Sequence, residues 1–195
     1  MNKNINDTKE AILRVANNLF IRFGFHKTSI DEIAKIARKA KGSIYYHFAS
    51  KEDLFREVVA NEINNLKKQL ENIINSKDSA IEKIKKYFIK RMEILNSSAN
   101  YHETLKADFF EHFHFIDDLR DEMDLWEKEK IEKIISEGID KGEFKQIFDT
   151  DILVDVFIMV LKSFETNFFV QKKYDRYSPH FEDLIKILTN GLKYN

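Results

Sequence analysis

Between Lys41 and Phe55 the sequence KGSIYYHFASKEDLF places Lys41, Ser43, Tyr45, Tyr46, His47 and Lys51 close together. Each of these side chains donates hydrogen bonds or carries positive charge, so the chemistry open to the set is recognition of a surface rich in acceptor oxygens. The plainer reading is the wet face of an amphipathic helix. Which reading applies depends on the elements that hold these residues.

Helical periodicity supplies those elements. From Thr8 to Phe23 the residues Ile12, Ala16, Leu19, Phe20 and Phe23 recur at helical spacing, and Gly24 provides a stop. A short second helix follows in KTSIDEIAKIA, with Ser29 and Glu32 spaced as a capping box and Ile30, Ile33, Ala34 and Ala37 as its apolar stripe. The third helix carries Gly42 to Phe48 and turns Ile44 and Phe48 inward. Ser50 and Asp53 open a long fourth helix with Leu54, Phe55, Val58, Val59, Ile63, Leu66, Leu70 and Ile73 on one side. Further helices are expected at about 79–97, 101–116, 118–140 and 150–172, with a last one ending near Gly191. One proline and five glycines in 195 residues suit this all-α plan of about nine helices. The division by function falls at residue 48, with residues 1–48 as a three-helix head and 49–195 as a helical body.

Composition excludes several classes. The absence of cysteine removes disulfides and thiolate metal sites, and suits a reducing cytoplasm. The N-terminal stretch is polar before it is apolar, unlike a secretory signal. The longest apolar run, DILVDVFIMVLKSF, is interrupted by Asp155 and Lys162 and is too short to span a bilayer. The net charge of −1 hides an asymmetry: residues 1–50 carry nine Lys/Arg against four acids, while the remainder carries 23 against 29. A basic head on an acidic body is expected where the head alone meets a polyanion.

Two short helices joined by a tight turn, the second polar and basic outside, with a supporting helix before them, describe a helix-turn-helix. TSIDEIAKIARKAKGSIYYHFASKEDLF also resembles the DNA-binding signature of TetR-type transcriptional regulators. The likeness is residue by residue over about Thr8 to Phe55, and beyond that it lies in helix number, order and length. In such a head Gly42 and Ser43 allow close approach to base edges, while Lys41 and Tyr45 reach bases or phosphate. Tyr46, His47, Lys39 and Lys51 are expected at the backbone, with Thr28 and Ser29 as phosphate clamps at a helix start. The turn departs from the family pattern, which commonly reads Gly-Val-Ser where this chain has Arg38, Lys39 and Ala40. A side chain then occupies a left-handed position at a cost of about 1 kcal/mol. The two added cations predict tighter and more salt-sensitive DNA binding.

For the body, the resemblance implies a small-molecule pocket and a dimer built from the last two helices. Phe88, Met92, Tyr101, Phe109, Phe110, Phe113, His114, Trp126 and Phe157 are the pocket candidates, suited to an apolar or aromatic ligand. Val156, Val160, Phe164, Leu184, Ile185, Leu188 and Leu192 are the candidates for the homodimer interface. The 151–169 segment is apolar on more than one face, which calls for burial on two sides. The resemblance implies a repressor that a ligand releases from double-stranded DNA, with no cofactor, metal or membrane partner and no enzymatic activity. Glu111 and His114 have the Glu-x-x-His spacing of a di-iron bundle, but a second such pair is missing from the sequence. The other rival is a helical adaptor that binds protein alone.

Overall fold

A computed structural model of the chain describes residues 2–110, 114–145 and 149–191, leaving out the side chains of 2–6 and 106–110. Among the described residues there are helices and turns but no strand, as the sequence predicts. The α-helices are α1 (Asn2–Phe23), α2 (Ile30–Ala37), α3 (Lys41–His47), α4 (Lys51–Ile74), α5 (Ala80–Ser97), α6 (Ala99–Phe110), α7 (Asp117–Asp140), α8 (Thr150–Glu165), the single turn α9 (Tyr174–Tyr177), and α10 (Phe181–Asn190). They divide into two compact units, one of Met1–Asn64 with Ser98–Asp117, the other of Asn65–Ser97 with Asp118–Asn195.

The first unit contains α1 to α3, the start of α4, and α6, so its packing extends past residue 48. Its centre is aromatic. Phe55 lies 5.1 Å from Phe20 and 5.0 Å from Phe25, and Phe115 lies 5.7 Å from Phe25. Gly24 ends α1 at φ 80°, a left-handed conformation that glycine adopts without strain, and its N–H donates to Phe20 O at 2.8 Å. Ser50 caps α4 by accepting from Asp53 N at 3.0 Å. Lys9 on α1 pairs with Glu57 on α4 at 2.8 Å.

The second unit packs α5 against α7, α8 and α10. Gly138 is needed for a close approach, since a Cβ there would stand 2.3 Å from the Phe144 ring and 2.7 Å from the Ala80 Cβ. Phe88, Phe164, Phe168 and Phe181 form the aromatic part of the core, with Phe88 5.4 Å from both Phe164 and Phe181.

Two helix expectations are corrected. The segment expected as one helix over 150–172 is α-helical to Glu165 and then π-helical over Thr166–Val170, where Gln171 N donates to Thr166 O at 3.1 Å. Phe168 and Phe169 in this π turn are both buried, at 3% and 5% exposure. In the segment expected as a helix over 101–116, α6 is described from Ala99 to Phe110, residues 111–113 lie outside the described residues, and a 3-10 turn at His114–Ile116 leads into α7.

Candidate nucleic-acid interface

α3 is seven residues long, and its inner side is fixed by Ile44 at 0% and Phe48 at 5% exposure. That anchoring turns the remaining residues outward. Lys41, Gly42, Tyr45 and Tyr46 are exposed, and Ser43 and His47 are half-buried. A Cβ added at Gly42 would meet nothing, and its φ is not positive, so the fold itself makes no demand for glycine there. The missing side chain lowers the outer surface of α3, as close approach to a groove requires.

The turn before α3 keeps the form that a glycine would give it. Arg38 takes φ 54° and ψ 43°, and its N–H donates back to the end of α2. The left-handed turn therefore survives the loss of glycine, with strain at Arg38. Lys39 is half-buried and its Nζ donates to Thr8 Oγ1 at 3.2 Å, tying the turn to α1. Ala40 occupies the N-cap of α3 without a side-chain hydrogen bond.

The flanking residues differ in what they offer. Thr28 is 2% exposed, and its hydroxyl donates to Gly24 O at 2.8 Å, so it braces the loop after α1. The expectation of a Thr28 phosphate clamp is corrected on that ground. Ser29 is exposed, but it forms a capping box in which both its N–H and its hydroxyl donate to the Glu32 carboxylate at 2.9 and 2.8 Å. Those bonds hold the Glu32 carboxyl below its ordinary range, so a negative charge stands at the start of α2. Lys51 turns back into the unit, donating to Phe25 O at 3.0 Å and Thr28 O at 3.3 Å above the Phe25 ring. Lys41 lies 3.0 Å from Asp31 at the start of α2. No spacing rule for helices pairs residues ten positions apart across a turn, so Asp31 carries no sequence signal of this contact.

The pocket and interface candidates are more scattered. Tyr101 and His114 belong to the first unit, while Phe88, Met92, Trp126 and Phe157 belong to the second. Phe88 and Met92 are at 0% exposure and serve the core. The His114 side chain is 79% exposed beside Asp117, which corrects its placement in a pocket. Trp126 lies beneath Lys67 and Lys130, 5.7 and 5.8 Å from its ring. Phe109, Phe110, Phe113 and Leu192 fall outside the described side chains. A shallow apolar groove of 250 Å³ does exist in the second unit, lined by Ser163, Phe164, Asn167, Phe168, Tyr177 and Leu184.

The polar centre of the second unit is a set of buried charges absent from the sequence reading. Arg91 donates through Nε to Glu127 at 2.6 Å and through Nη2 to Glu127 at 2.8 Å, and it also meets Glu165. Tyr87 OH donates to Glu127 at 2.6 Å, and burial pushes its phenol well above the ordinary value. The available signal is phase, since Tyr87 and Arg91 fall in step with Ile84, Phe88 and Met92 on the buried side of α5. Among interface candidates, Ile185 is at 0% exposure and belongs to the chain's own core, which corrects its assignment. Val156 and Leu188 are exposed at 46% and 39%, and Val160, Phe164 and Leu184 are half-buried. α8 is thus covered on one side only within the chain, with Ile152 and Met159 exposed at 57% and 61%. Among the described residues no group of three or more metal-ligating side chains occurs, and no helix is long and apolar enough to cross a membrane.

Residues 12–58 match the family described as bacterial regulatory proteins, tetR family. The chain is 47% identical over 51 residues to the transcriptional regulator QacR of Staphylococcus aureus, a match covering 26% of this chain. It spans about a quarter of that curated relative's length, 27%. Among solved structures it resembles a candidate fatty acid metabolism regulator of Clostridium perfringens, with 29% identity, a TM-score of 0.63, and coverage of 89% of this chain and 97% of that one. It also resembles the regulator FadR of Bacillus subtilis solved in complex with stearoyl-CoA, with 20% identity, a TM-score of 0.74, and coverage of 94% and 98%.

Proposed function

We propose that this chain, which belongs to the TetR family of bacterial regulatory proteins, is a cytoplasmic repressor that binds a palindromic DNA operator as a homodimer. The observation that carries the reading is the outer face of α3, where Lys41, Gly42, Ser43, Tyr45 and Tyr46 stand out from a helix anchored by Ile44 and Phe48. Residues 1–48 supply that face. His47 and Lys39 flank it, while Ser29 and Lys51 contribute more to its shape than to its charge. Exposed Ile152, Val156 and Met159 recur on one face of α8, and Leu188 on α10 is also exposed. Their burial against a second copy would provide α8 with the second cover its apolar width calls for. A two-fold dimer sets its α3 helices about one DNA turn apart on a palindromic site.

Release is assigned to a largely apolar or aromatic small molecule. The aromatic groove beside Phe164 and Phe168 supports this reading, as does the acyl-CoA held by a structural neighbour. The ligand must bind better to the state whose α3 helices are wrongly spaced, since equal affinity for both states shifts nothing.

The test uses a duplex selected from a random library by the wild-type protein, with a scrambled duplex of equal length as reference. The Lys41→Ala/Tyr45→Phe variant should bind the selected duplex no better than the scrambled one, with dimer mass unchanged by ultracentrifugation. Wild-type affinity in the variant would overturn the interface. A wild-type chain that selects no duplex would favour the adaptor reading.

A further inference from the structure

Asp31 and Lys41 come from different helices, the first turn of α2 and the first residue of α3, and the left-handed turn at Arg38 brings them within 3.0 Å. Their side chains are 70% and 51% exposed. An ion pair that exposed adds little to folding, and the N-terminus of α2 already has its own carboxylate in Glu32. The fold therefore has small use for Asp31, although it lies on the face assigned to DNA.

A lysine by itself is a flexible arm with three donors and a compact charge, suited to whichever phosphate comes nearest. The Asp31 carboxylate changes that in two ways. It takes one donor and biases the arm toward α2, holding the Lys41 ammonium above its ordinary pKa by hydrogen bond and charge. It also sets an acceptor beside the remaining donors and opposes phosphate by like charge. Phosphate oxygens offer acceptors only. A G·C pair offers the guanine O6 and N7 acceptors together with the cytosine N4 donor in the major groove.

We infer that Asp31 sets the specificity of Lys41, turning it from a phosphate anchor into the donor half of a pair whose acceptor half is Asp31 itself and which reads a G·C base pair. The inference rests on the DNA-binding reading above. It also explains why an acidic residue stands on the outer face of a basic head.

The experiment compares wild type, Asp31→Asn, Lys41→Ala and the double variant on the selected and scrambled duplexes over a salt series. Circular dichroism confirms that each variant is folded. Asp31→Asn should bind the scrambled duplex several-fold tighter, and its slope of log K against log salt should steepen by about 0.9 as Lys41 turns to a phosphate. Its preference for the selected duplex should fall about tenfold, and reselection with it should lose a G·C pair in each half-site. In the Lys41→Ala background the same substitution should leave the slope unchanged and lower the preference by much less. An unchanged preference and slope in Asp31→Asn would overturn the inference while leaving DNA binding intact. An equal effect without Lys41 would also overturn it, because Asp31 would then act only as a negative charge. A wild-type chain that prefers no duplex would fail the DNA-binding reading itself.

Discussion

Lys41 meets Asp31 with both side chains more than half exposed, whereas Arg91 meets Glu127 with the two at 2% and 1%. The first pair belongs to the surface of the first unit and the second to the interior of the other. In water a charge pair is exchanged for other partners at small cost, since exposed pairs are worth about 0–1 kcal/mol. In the interior the same charges are committed. Their desolvation is offset only while every partner stays in place. The contrast separates charges that can be offered to a partner from charges that hold the fold.

The largest effect expected from that contrast is at Glu127, which accepts from both Arg91 and Tyr87. Glu127→Ala leaves a guanidinium and a phenol buried beside a lost acceptor. Removing one member of a buried pair costs about 3–5 kcal/mol, which for a chain of this size lowers Tm by about 6–20 °C. Thermal unfolding by circular dichroism measures it. Asp31→Asn should move Tm by at most about 2–4 °C, because its pair is exposed. Similar losses in both variants would break the distinction between the two regions.

The two regions were also unequally legible in the sequence. The head is built from local signals: the Ser29–Glu32 capping box, the Gly24 stop and the inward spacing of Ile44 and Phe48 each act within a few residues, and all are present in the structure. The ion cluster of the body joins Arg91 to Glu127 and Glu165, 36 and 74 positions away. Local periodicity carries no record of such pairings, and it reads a charged residue on an apolar stripe as an interruption. Two of the pocket candidates show a related limit of periodicity. Aromatic residues at helical spacing look the same whether they line a cavity or fill it, and Phe88 and Met92 fill the core.

A smaller effect tests the turn between the two helices of the head. Arg38 holds a left-handed conformation at φ 54°, which costs an L-residue about 1–2 kcal/mol. Arg38→Gly removes that strain, but glycine loses about 0.5–1 kcal/mol through its greater freedom when unfolded. The balance favours the variant by about 1 kcal/mol or less, a rise in Tm of at most about 2–4 °C. On DNA it should also flatten the salt slope by about 0.9 for each phosphate that Arg38 touches. A gain in stability with an unchanged slope would place Arg38 off the backbone and make it a purely structural departure from the family pattern.

Glu62 is the smallest case and the most discriminating, because it lies in the first unit yet is treated like a body charge. Its carboxylate accepts from Tyr101 N and Asn100 Nδ2, each at 2.9 Å, and Asn100 in turn donates to Asn17 on α1 at 2.7 Å. Burial raises the carboxyl above its ordinary value, and the bonds from Tyr101 and Asn100 only partly oppose this. A carboxyl raised in the folded state contributes stability that is full below its unfolded pKa and is lost as pH rises through the folded value. The advantage of wild type over Glu62→Gln should therefore be greatest below about pH 4.5 and shrink toward neutrality. At neutral pH the two should differ by about 1 kcal/mol or less, since glutamine keeps a carbonyl acceptor for Tyr101 N–H. Paired thermal melts across that range give the sign directly. If the wild-type advantage grows with pH, the Asn100 and Tyr101 donors outweigh burial, and Glu62 joins α1, α4 and α6 as a stabilised anion rather than as a strained one.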